Sequence, residues 1–478
     1  MQTKSNPDEI ESFLTDASFI RDGHADLVVL PETIDDVSET LARANRDRIP
    51  VTVSGAGTGT VGGRVAHGGI ILATDKLNHI KTIDQGGFAV VEAGVILADL
   101  QRAVDQQGLL YPPDPTERGC FIGGNVATNA SGARTFMYGA TRDYVNRLKV
   151  VLASGEVVNL RRGEHYADEN RKLRVGNSIE LTLPDYCMPA TRKNASGYFI
   201  APGMDAIDLF IGSEGTLGVI CEIEVRLLPK PEGVLSGVVF FTDEADVLAL
   251  VADARKRGNA RALEFFDNES LNFLRQKYPT VPSQAVGAIF FEQETSAATE
   301  EAVLNEWMNL LDKHHALADS WFATNEQDQA KLREFRHQLP VLMNEWFGHY
   351  KQRKVSTDMA VPDDAFSGLF RLYKDTLRAS GLRYTIFGHI GDNHVHVNIL
   401  PRNDVEGGHA RELYVQFLKY AASVGGTLSA EHGVGKLKRE YLRFFYTDDQ
   451  LRAMASVKKA LDPHGILGRG NIFSEGLL

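Results

Sequence analysis

The stretch VTVSGAGTGTVGG, residues 51–63, restricts this chain more than any other part of it. Five glycines (Gly55, Gly57, Gly59, Gly62 and Gly63) fall within nine positions, directly behind the β-branched run IPVTVS. Glycine costs about 1 kcal/mol against alanine inside a helix, so such a density rules out an element interior. A plain tight turn needs only one or two glycines. What remains is a strand opening into a loop of exposed backbone N–H groups, a nest suited to a pyrophosphate. Two common phosphate loops do not fit. The G-x-G-x-x-G spacing of a dinucleotide fold is broken, and the residues that follow, RVAHGGIILAT, run into a strand rather than a helix. No Gly-Lys-Ser/Thr follows either, which excludes a nucleoside-triphosphate loop.

Two further stretches repeat the pattern. Residues 111–145, YPPDPTERGCFIGGNVATNASGARTFMYGATRDYV, thin out their side chains at Gly123, Gly124, Ala127, Ala130, Ser131, Gly132 and Ala133. Backbone can there approach something flat and large. Residues 212–220, GSEGTLGVI, do the same at the start of a strand. Three such stretches in one unit suit an extended dinucleotide cofactor better than a single phosphate.

The chain of 478 residues is too long for one core and reads as two large units or three smaller ones. Its 43% apolar and 24% charged residues describe an ordinary globular protein. A formal charge of −12 argues against nucleic acid as a partner, because phosphate backbones need clustered Lys and Arg. Three cysteines give no disulfide framework, and the acidic N-terminus has no apolar signal region. No apolar run is long enough to predict a membrane span. Cytoplasm is the expected location, with peripheral attachment to the inner membrane left open. Residues 33–48 predict a helix capped by Thr33, residues 51–54 a strand, and Ser154-Gly155 a hairpin turn. The first unit closes at a Pro/Gly linker near Pro229–Gly233; long helices such as 298–315 follow, and Pro463 stops a tail helix.

Chemistry gathers again far downstream. The hairpin FGHIGDNHVHVN places His389, His394 and His396 around a Gly-Asp-Asn turn, and SAEHGVG supplies Glu431 and His432. On a strand His394 and His396 would share one face, with His389 reaching across the turn. Two imidazoles plus a carboxylate, with positions left for water or substrate, make a catalytic zinc- or manganese-type site.

In this order the motifs resemble the flavoproteins of the vanillyl-alcohol oxidase and p-cresol methylhydroxylase type. Within them the likeness is to the D-lactate, glycolate and D-2-hydroxyglutarate dehydrogenases, over roughly residues 20–475. The resemblance implies an α+β fold: a two-part FAD-binding domain over 20–230, a substrate domain with an antiparallel sheet over 231–430, and a segment 431–478 returning to the flavin. It assigns Ser54, Gly55, Ala56, Gly57, Thr58 and Gly59 to the FAD pyrophosphate. Pro113, Asp114, Gly124, Asn125, Thr128, Ser131, Gly132, Tyr138 and Gly139 would lie along the flavin, and Glu214, Gly215 and Ile220 would complete the cofactor site. The first loop has Thr58 and Thr60 but no His, and Cys120 lacks the pattern of a flavin-linking thiol, so the FAD is expected to be non-covalent. A divalent metal, zinc or manganese, is implied at His389, His396 and Glu431, with His394 behind them because relatives carry Asn there. Arg336 matches the carboxylate-binding arginine of these enzymes.

Such a site would oxidise a D-2-hydroxy acid by hydride transfer to flavin N5. His432, next to a ligand, is the candidate base, and Asn398, on the face of His396, a candidate substrate donor. The resemblance prefers a dehydrogenase to an oxidase and leaves the electron acceptor as a quinone, a cytochrome or an electron-transfer flavoprotein. A diacid such as D-2-hydroxyglutarate needs a second cation. Where the hydroxyglutarate enzymes have Lys, two residues before Asp358, this chain has Ser356, with Lys354 two residues further back on the same strand face. Pro340 stands where they tend to have a hydroxyl residue. D-lactate is therefore expected ahead of D-2-hydroxyglutarate or a glycolate dehydrogenase role. A metal-dependent hydrolase would leave the glycine stretches unexplained, and a non-catalytic binding module the histidines.

Overall fold

The computed structural model describes residues 1–176 and 179–477. Three sheets organise them. The first has four strands, Gln2–Lys4, Leu27–Leu30, Ile70–Ala73 and Val51–Ser54 in spatial order, the last three mutually parallel. A helix, Ile34–Asp47, connects two of them. Thr33 and Asp36 cap that helix reciprocally, and Arg48 ends it in the left-handed region at φ 55°. Val37, Leu41 and Ala44, at helical spacing, form its buried stripe. The strand Val51–Ser54 thus enters the glycine loop from a fixed base.

The second sheet is antiparallel, with strands Ile80–Asp84, Phe88–Glu92, Val219–Arg226, Val145–Val151 and Val157–Arg161 in spatial order. Its middle strand follows the third glycine stretch. The hairpin expected around Ser154-Gly155 is the Val145–Val151/Val157–Arg161 pair, with Gly155 at φ +88°.

The third sheet has seven strands in the order Trp321–Ala323, Gly233–Phe241, Gly287–Thr295, Ala260–Asp267, Tyr384–Gly388, His396–Ile399 and Val355–Ser356. All its pairings are antiparallel, as the resemblance implied for this half. The 25-residue helix Glu326–Tyr350 buries Leu332, Phe335, Leu339 and Met343 in a core shared with Phe266 and Phe290 of the sheet. Two expectations need correcting. His394 precedes the strand His396–Ile399, so strand alternation does not set its direction. Lys354 precedes the two-residue strand Val355–Ser356, so it does not share a strand face with Ser356.

The largest core cluster joins residues of the second and third sheets, from Ala89 to Phe473, in one continuous apolar body. The late chain returns to the first sheet: the Val51 N–H donates to the Ile466 carbonyl at 2.8 Å and the Gly468 N–H to Val51 at 2.9 Å. No helix among the described residues is long and apolar enough to cross a membrane.

Candidate functional site

One cavity collects the three glycine stretches. Its wall carries Gly55, Ala56, Gly57, Thr58 and Gly59 from the first, Gly124, Asn125 and Thr128 from the second, and Glu214, Gly215 and Ile220 from the third. His432 stands on the same wall. Gly57 and Gly215 take φ of +79° and +69°, a region open to glycine at little cost.

The remaining expected cofactor residues do not line this cavity. Ser54 is buried behind the loop, where its hydroxyl accepts from Arg64 Nη1 at 3.2 Å. The Pro113 carbonyl accepts from Gln101 Nε2 at 3.1 Å. Gly132 lets two loops touch, since a Cβ there would stand 1.9 Å from the Asp114 carbonyl oxygen. Ser131 donates to Glu431 Oε1 at 3.0 Å, and Tyr138 to the Glu294 carboxylate. Gly139 turns the chain at φ +83°. Asp114 faces a second cavity of about 620 Å³, lined also by Arg118, Arg134, Arg261, Arg333 and Arg336.

Glu214 is a tie rather than a free acid. Its carboxylate accepts the backbone N–H groups of Val434 at 2.8 Å and Gly435 at 2.7 Å. Burial pushes it up to about 7, against the pull of those two donors. Cys120 is buried on the cavity wall, and burial raises its thiol to about 11, as fits an inert structural thiol. Sequence reasoning missed Arg64, which also lines the cavity and whose guanidinium donates to the Gly55 carbonyl at 2.8 Å. The one signal for it was a cation directly behind the glycines.

The histidine hairpin and the SAEHGVG stretch do meet. His389, His394, His396 and Glu431 each offer a ligand atom within 4.8 Å of the others. Glu431 Oε2 is 3.2 Å from His389 Nε2 and 3.6 Å from His396 Nε2. The other ring nitrogens are already engaged: His389 Nδ1 faces Glu264 Oε1 at 2.6 Å, and His396 Nδ1 the Thr357 carbonyl at 3.0 Å. A carbonyl or carboxylate behind each imidazole fixes the tautomer that turns an Nε2 lone pair forward, the pattern of metal-binding histidines. Burial works to lower the His389 pKa, but Glu264 and Glu431 outweigh it and raise it to about 9, so a cation there displaces a proton. His394 is fully buried, 3.3 Å from Asp358 Oδ1, and burial lowers it to about 3.

His432 stacks on His396 at 5.4 Å, with Nδ1 3.4 Å from Asp358 Oδ2. Burial, with Lys438 and His396 nearby, holds it down at about 4 against the pull of Asp358, so at neutral pH its imidazole is uncharged. With the Nδ1 proton toward Asp358, the Nε2 lone pair is left for the cavity. Asn398 is 2% exposed, and its Nδ2 has no partner among the described residues. Arg336 places Nε and Nη2 at 2.9 and 2.8 Å from Glu264 Oε2, so only the rest of its fork is free to bind an anion. Sequence reading also missed Glu264 and Lys193, whose ammonium lies 2.7 Å from Glu431 Oε1, and took Asp358 only as the landmark for Ser356. No local motif marks the first two.

Comparison with known proteins places these features in context. Residues 25–161 match the model of an FAD binding domain, and residues 230–472 that of the C-terminal domain of FAD linked oxidases. A D-lactate dehydrogenase of Anaerostipes hadrus is 32% identical over 97% of this chain and 93% of its own length. The mitochondrial D-2-hydroxyglutarate dehydrogenase of Danio rerio is 30% identical over 98% of this chain and 82% of its own. Among solved structures, alkyldihydroxyacetonephosphate synthase superposes with a TM-score of 0.70 at 17% identity, covering 98% of this chain and 83% of that one. That likeness is one of fold.

Proposed function

Since this chain belongs to the FAD-linked oxidases and is a flavin-dependent oxidoreductase, we propose that it dehydrogenates a D-2-hydroxy acid to the 2-oxo acid, with D-lactate first. The observation that carries this reading is His432 on the wall of the glycine cavity, beside the His389–His396–Glu431 cluster. In it residues 20–230 carry a non-covalent FAD, 231–430 present the substrate face, and the chain from 431 onward returns to the flavin.

Bound FAD supplies the hydride acceptor, and a zinc or manganese ion held by His389, His396 and Glu431 a Lewis acid for the hydroxyl and carboxylate oxygens. His432 takes the hydroxyl proton through Nε2, its ring held by stacking on His396 and by Asp358. The unpartnered Nδ2 of Asn398 donates to a substrate oxygen, and the free edge of Arg336 holds the carboxylate. Electrons then leave to a quinone, a cytochrome or an electron-transfer flavoprotein.

The preference for a monocarboxylate rests on Ser356. It pairs directly with Asn398 across the two strands, so the position facing the substrate donor carries a hydroxyl and not a cation. A distal carboxylate buried there without a partner costs on the order of a few kcal/mol. The test is bleaching of the flavin on adding D-lactate or D-2-hydroxyglutarate to the metal-loaded enzyme. D-lactate should bleach it faster, a chelator should stop bleaching while FAD stays bound, and His432→Asn should slow it by roughly a hundredfold or more. Equal bleaching by His432→Asn, or a tenfold preference for the diacid, would overturn the corresponding part.

A further inference from the structure

Three distant stretches converge on one buried ammonium. Lys193 Nζ lies 2.7 Å from Glu431 Oε1, 2.8 Å from the Gly132 carbonyl oxygen and 3.2 Å from Asp392 Oδ2. Its side chain is 0% exposed. It hydrogen-bonds Glu431 and Gly132 and is paired in charge with Asp392, which is what makes so complete a burial tolerable. Ser131 donates to the same Oε1 at 3.0 Å. One oxygen of Glu431 is therefore taken by Lys193 and Ser131, and the other, Oε2, faces His389 and His396.

The lysine is held where it stands. Its neighbour Asn194 accepts from Thr427 Oγ1 at 2.6 Å, and the Ala195 N–H donates to the Ser429 carbonyl at 2.8 Å. The loop that carries Lys193 is thus tied to the segment just before Glu431.

We propose that Lys193, helped by Ser131, is a positioning residue that restricts Glu431 to a single ligating oxygen and so keeps room beside the metal for a chelating hydroxy acid. This rests on the function proposed above. A carboxylate with both oxygens free can take two positions on a cation; with Oε1 occupied, it takes one. Charge separates this role from plain metal retention. Around the cluster stand the carboxylates of Glu264, Asp392 and Glu431 and the cations Arg336 and Lys193. Removing Lys193 makes the surroundings more negative, so attraction for a dication does not fall. What is lost is the open position.

The experiment uses the full-length, FAD-loaded enzyme reconstituted with zinc or cobalt, as wild type, Lys193→Met and Ser131→Ala. Lys193→Met is expected to keep its FAD and a full complement of metal, with metal affinity no weaker than wild type. KM for the better of D-lactate and D-2-hydroxyglutarate should rise roughly tenfold or more, the size usual for groups behind a metal ligand. The cobalt d–d bands, to the red of the flavin, should weaken as the freed oxygen joins the ion. Ser131→Ala, which removes one donor and no charge, should move KM and the bands the same way by less, and it decides the matter if Lys193→Met does not fold. Metal-loaded variants with wild-type KM and wild-type bands would refute this inference alone. A wild-type enzyme that turns over without metal would refute the functional reading, and this inference with it.

Discussion

At Gly132 a single hydrogen atom decides whether two loops can touch. A methyl there would stand 1.9 Å from the Asp114 carbonyl, which is backbone and cannot swing aside. Gly132→Ala should push residues 113–115 away, at a cost of about 1–3 kcal/mol. The expected result is a lower flavin absorbance per chain and a lower Tm; wild-type values for both would refute it. At this scale legibility depends on distance along the chain. His389 and His396 could be paired by eye because a tight hairpin brings them together. Glu264 faces His389 across 125 positions, and Lys193 faces Glu431 across 238, and no local pattern encodes such meetings. His394 shows the opposite failure: its spacing suggested a strand face, but the strand begins two residues later.

Elements were read more securely than their surroundings. The stretch 212–220 pointed to the start of a strand, which is Val219–Arg226, yet it gave no sign that Glu222 and Glu224 lie buried beneath a roof of cations. Lys81, Arg147 and Lys149 all reach Glu222, at 2.7, 2.9 and 3.0 Å. Burial works to raise its pKa, but these donors win and hold it near 2, below its usual 4.5. The folded-state pKa is depressed, so the stabilisation is present above pH 4.5 and is lost as the pH falls toward 2. Glu222→Gln should therefore lose on the order of 1–2 kcal/mol at neutral pH, allowing for solvent screening, and the gap from wild type should close in acid. Urea titrations at several pH values measure it, and a gap that stays constant with pH would exclude the ion cluster as its source. Pro340 was visible in the sequence, but not that it lies inside the helix Glu326–Tyr350. There it has no N–H to give the Arg336 carbonyl four residues back.

Across the whole molecule, the late chain locks the glycine loops. Asn471, 2% exposed, donates through Nδ2 to the carbonyls of Gly63 at 2.8 Å and Glu214 at 3.2 Å. It also accepts from Lys436 Nζ at 2.7 Å. One amide thus spans the first glycine loop, the third and the returning segment. Asn471→Ala leaves buried partners unmatched, a loss of about 1–3 kcal/mol. Most of it should appear as faster FAD release, followed by flavin fluorescence on dilution, with turnover per bound flavin little changed. Unaltered release would mean that the loops close without this bridge. The sequence suggested a returning tail, but which tail residue meets which loop is a matter of packing.

That bridge also sets a timetable for how the protein is made. Asn471 lies 408 positions beyond Gly63, and a ribosome adding roughly 5–20 residues per second needs on the order of 20–80 s to reach it after Gly63 is made. For all that time the loop is out in the cell with its clasp unwritten. A dinucleotide that arrives early meets a loop without that clasp, so FAD is expected to be held firmly only once the tail is made.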